Sequence, residues 1–183
     1  MMSHKNQLLC VAIFLTFFSF NSPTTYATKP APKPNESHTL VTEFCNKRST
    51  IEGREFCTRV LKSNPKSISA KDDASLLKIS VDLAIENVLE TKEYMTTLSK
   101  TIPGLKECIS AYDVSIGQLR IAPQELEDDP SLASYDALMA HDELINCEKS
   151  LLTSKITDDS ISSRHNIAKA YVQLCVDIAM TVG

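Results

Sequence analysis

Residues Leu105 to Leu152 read LKECISAYDVSIGQLRIAPQELEDDPSLASYDALMAHDELINCEKSLL. Two periodic segments flank an acidic break. In the first, Ile109, Tyr112, Ile116 and Leu119 recur at steps of three and four, which is one face of a helix. A helix is expected from Leu105 to Leu126. Pro123 lies in its last turns, where the missing backbone donor either kinks a helix or ends it. Glu127-Asp128-Asp129-Pro130 is a loop into the second helix, with Asp129 suited to the N-cap and Pro130 to the first helical position. That second helix is carried by Leu132, Tyr135, Leu138 and Ile145 to about Leu152. Leu138 and Ile145 place His141 near its core face. Two helices joined by so short a loop are antiparallel neighbours.

The same period continues on both sides. Ser69 to Lys100 is expected as one long helix, with Leu76, Leu77, Ile79, Leu83, Val88, Met95 and Leu98 as its apolar surface. Ser69 with Asp72 three residues on resembles a capping box, and Ile102-Pro103-Gly104 stops the helix. Asp158-Asp159-Ser160 opens a last helix whose face is Ile167, Tyr171, Leu174, Ile178 and Val182. A shorter pair, Leu40 to Cys45 and Glu55 to Leu61, precedes a break at Asn64-Pro65-Lys66-Ser67. Glycine is scarce and strand-like alternation weak. The expected fold is all-α, an up-and-down four-helix bundle with the short pair as an appendage.

The N-terminus has the layout of an export signal. Met1 to Gln7 is polar with Lys5 as its base, Leu8 to Phe20 is an apolar run, and Thr25-Tyr26-Ala27 is a small-residue cleavage pattern. Residues 1–27 read as a signal peptide cut after Ala27, since a membrane anchor needs about 18 or more apolar residues. Residues 28–37 hold a proline-rich, extended lead-in. Residues 38–183 have the size of one domain. Asn35-Glu36-Ser37 is a glycosylation acceptor triplet that an exported chain can use. Without the leader, which holds one of the 19 bases and none of the 23 acids, the chain is mildly acidic with no basic block. Neither nucleic acid nor an anionic membrane is expected as a partner.

Cys10 leaves with the leader, so Cys45, Cys57, Cys108, Cys147 and Cys175 remain. Cysteine counting alone does not fix their pairing. The helix pattern narrows it. The midpoint of Cys108 and Cys147 falls in the loop of the long hairpin, and residues equidistant from an antiparallel turn lie side by side. A bridge there clamps the open end of the hairpin. Cys45 and Cys57 then pair within the N-terminal segment. Cys175 is left over, beside Leu174 on an apolar face, where a small buried residue is a better reading than a reactive thiol.

Catalytic chemistry is not visible. Among His38, His141 and His165, neither helical histidine has the Glu-x-x-His partner of di-iron bundles, since Leu138 and Ser162 stand three residues before them. His141 reads as a half-buried packing residue. There is no Cys-x-x-Cys, no close histidine pair, and no nucleophile-elbow, P-loop or dinucleotide pattern. Asp72-Asp73, Asp128-Asp129 and Asp158-Asp159 all stand at helix starts, where the macrodipole favours acids. No metal, cofactor or enzymatic activity is expected.

Taken together, several blocks resemble the plant invertase and pectin methylesterase inhibitor family. They are Cys45 and Cys57 followed by Leu61-Lys62-Ser63-Asn64-Pro65-Lys66-Ser67, then Leu105-Lys106-Glu107-Cys108 with Tyr112 and Leu119, then Asp136-Ala137-Leu138 through Cys147-Glu148, and Gln173-Leu174-Cys175. The resemblance implies a four-helix bundle with an N-terminal helical hairpin and bridges Cys45–Cys57 and Cys108–Cys147. It also implies a secreted apoplastic protein that occludes a cell-wall carbohydrate enzyme by protein–protein contact, either pectin methylesterase or acid invertase. The family's invertase inhibitors carry Asp-Pro-Lys-Phe before the third bundle helix. Here the run is Asp129-Pro130-Ser131-Leu132, without the cation and the aromatic, which points away from invertase. The family's pectin methylesterase inhibitors often carry Ser-Ala-Ala-Leu and Thr-Cys in the third helix, where this chain departs with Tyr135-Asp136-Ala137-Leu138 and Asn146-Cys147; Cys175 leans weakly toward pectin methylesterase. Asp128, Asp129, Pro130, Ser131 and Leu132 are the expected contact residues. A third class, a non-inhibitory secreted bundle, would show an enlarged apolar cavity between its helices.

Overall fold

The computed structural model describes residues 39–126 and 128–182. The leader, the proline-rich lead-in, Asn35, His38 and Glu127 lie outside the described residues. Among the described residues seven α-helices follow in order: α1 Leu40–Asn46, α2 Ile51–Ser63, α3 Pro65–Ile68, α4 Asp73–Leu98, α5 Lys106–Glu125, α6 Pro130–Thr153 and α7 Asp159–Val182. A single 3-10 turn, Pro103–Leu105, leads into α5.

Local side-chain chemistry sets most of these boundaries. Thr50 caps α2 by accepting from the Gly53 amide at 3.0 Å, so this helix starts at Ile51, four residues before the expected Glu55. Asn64 accepts from the Lys66 amide at 2.9 Å, and the expected break at 64–67 becomes the single turn α3. The cap of α4 is Asp72, not Ser69. Asp72 accepts from the Ser75 amide at 2.7 Å, while the Ser75 hydroxyl accepts from the Asp72 amide at 3.2 Å. That is a reciprocal capping box with serine at the third helical position. Ser69 instead ends α3, donating its hydroxyl to the Pro65 and Lys66 carbonyls. Asp129 and Asp158 cap α6 and α7 by accepting from the Ser131 and Ile161 amides. Helix α5 continues through Pro123 to Glu125. At its other end α6 closes on Lys155, a left-handed residue (φ 52°). The Ile156 amide reaches back to Leu151 and that of Lys155 to Leu152, the paired bonds of a Schellman motif.

Helices α4 to α7 form the four-helix bundle. Each packs on the next, and α7 returns to α4, so α4/α6 and α5/α7 are the diagonals. The core holds Leu76, Leu77, Val81, Val88 and Met95 from α4, with Tyr112, Ile116 and Leu119 from α5. Leu144 and Leu151 come from α6, and Ile161, Val172, Leu174 and Ile178 from α7. Full burial of such a side chain stabilises by about 1.5–3 kcal/mol relative to exposure. A polar link also joins each neighbouring pair on the outside: Lys92 with Asp113, Ser150 with Glu107, Lys169 with Glu148, and Arg164 with Glu90. Exposed pairs of this kind are worth under about 1 kcal/mol each, so the apolar interior carries the bundle. Gly104 lets the α4–α5 connection pass close to the end of α6, since a side-chain carbon there would meet Ser154 at 3.0 Å.

Helices α1 and α2 make the N-terminal hairpin, bridged by Cys45–Cys57. Val41, Phe44, Val60 and Leu61 join the same core. Phe56 meets Tyr171 of α7 edge-to-face at 5.3 Å, and Arg48 pairs with Asp177. The second bridge, Cys108–Cys147, joins α5 to α6 at the far end from their loop. Cys175 is free and buried. The all-α bundle, the hairpin and both pairings therefore stand as expected.

Two faces differ from the periodicity. The buried stripe of α6 is Ala133, Ala137, Ala140, Leu144, Cys147 and Leu151. Leu132, Tyr135 and Leu138 point outward at 45, 57 and 39 % exposure. The physical reason is the bridge. Cys147 must face α5, and positions 144, 140, 137 and 133 lie beneath it at helical steps of three and four. Alanines there let α6 approach its neighbours closely. On α7, Ile167 is likewise exposed, while His165 and Ala168 turn inward.

Candidate functional site

The α5–α6 loop and the outward face of α6 form one continuous region. The loop is held by its own hydrogen bonds. The Asp129 amide donates to the Glu125 carbonyl at 2.8 Å and that of Asp128 to the same carbonyl at 3.2 Å. The Asp129 carboxylate accepts from both the hydroxyl and the amide of Ser131. Those two bonds hold the Asp129 carboxyl below its ordinary range, the hydroxyl contributing most. Asp129 is therefore ionised and committed to the cap. Ser131 is committed to Asp129. Of the five residues expected to touch a partner, Asp128, Asp129, Ser131 and Leu132 are exposed and Pro130 is half-buried. The structure brings them together at one end of the bundle.

Beyond them the strip runs up α6. Leu132, Tyr135 and Leu138 follow at steps of three on the solvent side, and Val114 and Ile121 are the exposed large apolar residues of α5. Tyr135 and Leu138 are missed as surface residues by periodicity alone, which counts apolar positions without knowing which way Cys147 turns the helix. Asp136, between them, is half-buried, and its desolvation raises its carboxyl above the ordinary value. Chemically the region offers acceptors at Asp128, apolar area and an aromatic hydroxyl. It suits contact with another macromolecule.

The groups weighed for chemistry find structural work. Asp72, Asp129 and Asp158 each serve as a helix N-cap. His141 is half-buried, and burial lowers its imidazole below the ordinary value. Cys175 is enclosed, and burial pushes its thiol up to about 12. Among the described residues, no group of three or more histidine, cysteine or acidic side chains could hold a metal ion. No helix among them is long and apolar enough to cross a membrane.

Similarities to known proteins converge on one type. A family model described as plant invertase/pectin methylesterase inhibitor matches residues 39–178. Among solved structures, a mutant form of a pectin methylesterase inhibitor from Arabidopsis superposes with a TM-score of 0.65 at 17% identity, covering 78% of this chain and 96% of that one. A second, a pectin methylesterase inhibitor from Arabidopsis thaliana, gives 0.56 at 16% identity, covering 78% and 95%. At such identities the superpositions speak to the fold. No match was found among curated protein sequences.

Proposed function

This chain belongs to the plant invertase/pectin methylesterase inhibitor family, and we propose that it is a secreted inhibitor that covers the substrate groove of a pectin methylesterase in a one-to-one complex. As a member it is an inhibitor-type protein, and enzymes of cell-wall carbohydrate are the partners that its family name implies. The observation that carries the finer reading is the outward strip of Leu132, Tyr135 and Leu138, set beside a loop fixed by the Asp129 cap. Contiguous exposed apolar area on a small protein marks interaction surfaces, and tyrosine is among the residues that dominate interface energies. A standard interface buries about 800 Å² on each partner.

The test is a substitution within the strip. Replacing Tyr135→Ala is expected to weaken inhibition of pectin methylesterase by at least about tenfold, the usual loss on truncating an aromatic anchor, with the urea midpoint unchanged. Unaltered inhibition would remove the strip from the interface.

A second reading, inhibition of acid invertase, draws on Asp129-Pro130, which this chain retains. Under it, the double change Ser131→Lys and Leu132→Phe strengthens invertase inhibition; no change would count against the loop. In either reading, residues 1–27 serve as an export leader, residues 38–183 form the inhibitor domain, and Asn35 is a glycosylation site. N-terminal sequencing of the exported protein is expected to begin at Thr28, and the mature protein resides in the apoplast.

A further inference from the structure

Inside the bundle lies a polar pair that the inhibitory surface does not use. Tyr112 on α5 and His165 on α7 are both buried, and they meet across the bundle diagonal, hydroxyl to Nδ1, at 3.0 Å. The Cys108–Cys147 bridge adjoins them, with Cys147 Sγ 3.5 Å from the same Nδ1. His165 Nε2 is buried without a hydrogen-bond partner. With Tyr112 donating to Nδ1 only Nε2–H lacks a partner, whereas an Nδ1–H donating to Tyr112 Oη or Cys147 Sγ would strand both the Tyr112 proton and Nε2, so the first tautomer is the better satisfied.

From this arrangement we infer that the Tyr112–His165 pair is an acid-sensitive lock: protonation of His165 reverses the hydrogen bond, so that Nδ1–H donates to the Tyr112 oxygen, strands the Tyr112 O–H and loosens the bundle across the α5–α7 diagonal. A second proton can enter only at Nδ1. Tyr112 must then turn its O–H away into apolar surroundings. The Tyr112 O–H joins Nε2–H, already unpartnered, as a buried donor without an acceptor, and an uncompensated charge appears in the core. Each of these penalises the folded state.

The surrounding charges do not relieve this. Glu148 on α6 favours the charged ring and Lys169 on α7 opposes it, and these two pair with each other at 2.6 Å. Helix α5 presents the Tyr112 hydroxyl. Burial, the largest cause, holds the imidazole down at about 4 in the folded chain. The sign follows from that direction. The folded value lies below the ordinary 6.5, so the contribution to stability is complete above about pH 6.5. It is lost as pH falls toward 4, where the unfolded chain takes up the proton first.

The experiment uses the full chain with both bridges intact. Urea unfolding is followed from pH 7.5 to pH 4 for the wild type and for His165→Gln, which is neutral throughout. The wild-type unfolding equilibrium constant is expected to rise about 100-fold more than the variant's across this range, as a displacement from 6.5 to about 4 followed down to pH 4 requires. Equal pH dependence in the two proteins would overturn the lock. Should His165→Gln fail to fold, the His165 ring is titrated by NMR in the wild type and in Tyr112→Phe. A wild-type midpoint near 4 that moves up when the hydroxyl is removed supports the lock. A midpoint near 6.5, or one that Tyr112→Phe leaves in place, refutes it.

Discussion

Cys175 shows how burial decides the meaning of a residue. Its thiol is fully enclosed in α7 and pushed up to about 12 by desolvation. At pH 7 only on the order of 10⁻⁵ of it is thiolate, and the thiolate is the reactive form. A thiol reagent such as DTNB is expected to leave the native protein unlabelled and to label one site after denaturation with the bridges intact. Prompt native labelling would contradict the packing. Lys155 makes the opposite case, an exposed side chain in a strained backbone. A side chain in the left-handed region costs about 1–2 kcal/mol, part of which glycine returns in unfolded-chain entropy. Lys155→Gly is therefore expected to stabilise by about 0.5–1 kcal/mol, read from the urea midpoint at unchanged m-value. Caps were legible at this scale because their chemistry is local, as at Asp129 and Pro130. The Tyr112–His165 pair was not. Its members stand 53 residues apart, and no short-range pattern announces a contact across a bundle diagonal.

At the scale of the helix, α6 carries most of the lesson. Its start, its loop and its antiparallel partner followed from the acid-proline break and the three-and-four periodicity. Its rotation did not. Large apolar side chains outweigh alanines in any hydrophobic pattern, yet here the alanines face inward, because Cys147 must reach Cys108. Substitutions separate the two faces. Leu144→Ala, at a fully buried site, is expected to cost about 2–5 kcal/mol. Leu138→Ala on the outer face should stay within about 0.5 kcal/mol. Equal costs in thermal or urea unfolding would mean that α6 is turned differently. The missed start of α4 has a similarly plain cause. Both Ser69 and Asp72 are good capping residues, and the choice between them depended on α3 claiming Ser69 for its own carbonyls.

For the whole molecule, the all-α bundle with its hairpin was readable because helical period, short loops and cysteine spacing agreed. The two bridges act at different places: Cys45–Cys57 closes the appendage and Cys108–Cys147 the open end of the α5–α6 hairpin. Replacing Cys108 and Cys147 together by serine is expected to cost about 2–4 kcal/mol, measured as a lowered urea midpoint, without altering any exposed residue of the α5–α6 loop. The target was less legible, because it is set by a surface complementary to a second protein whose shape this sequence does not encode. Inhibition therefore identifies the target. The purified protein, with both bridges formed, is titrated into parallel assays of a plant pectin methylesterase and an acid invertase from acidic to neutral pH. Pectin methylesterase activity is expected to fall to a plateau near one equivalent of the protein while invertase is unaffected. Full pectin methylesterase activity at micromolar excess throughout that range would contradict the proposed target.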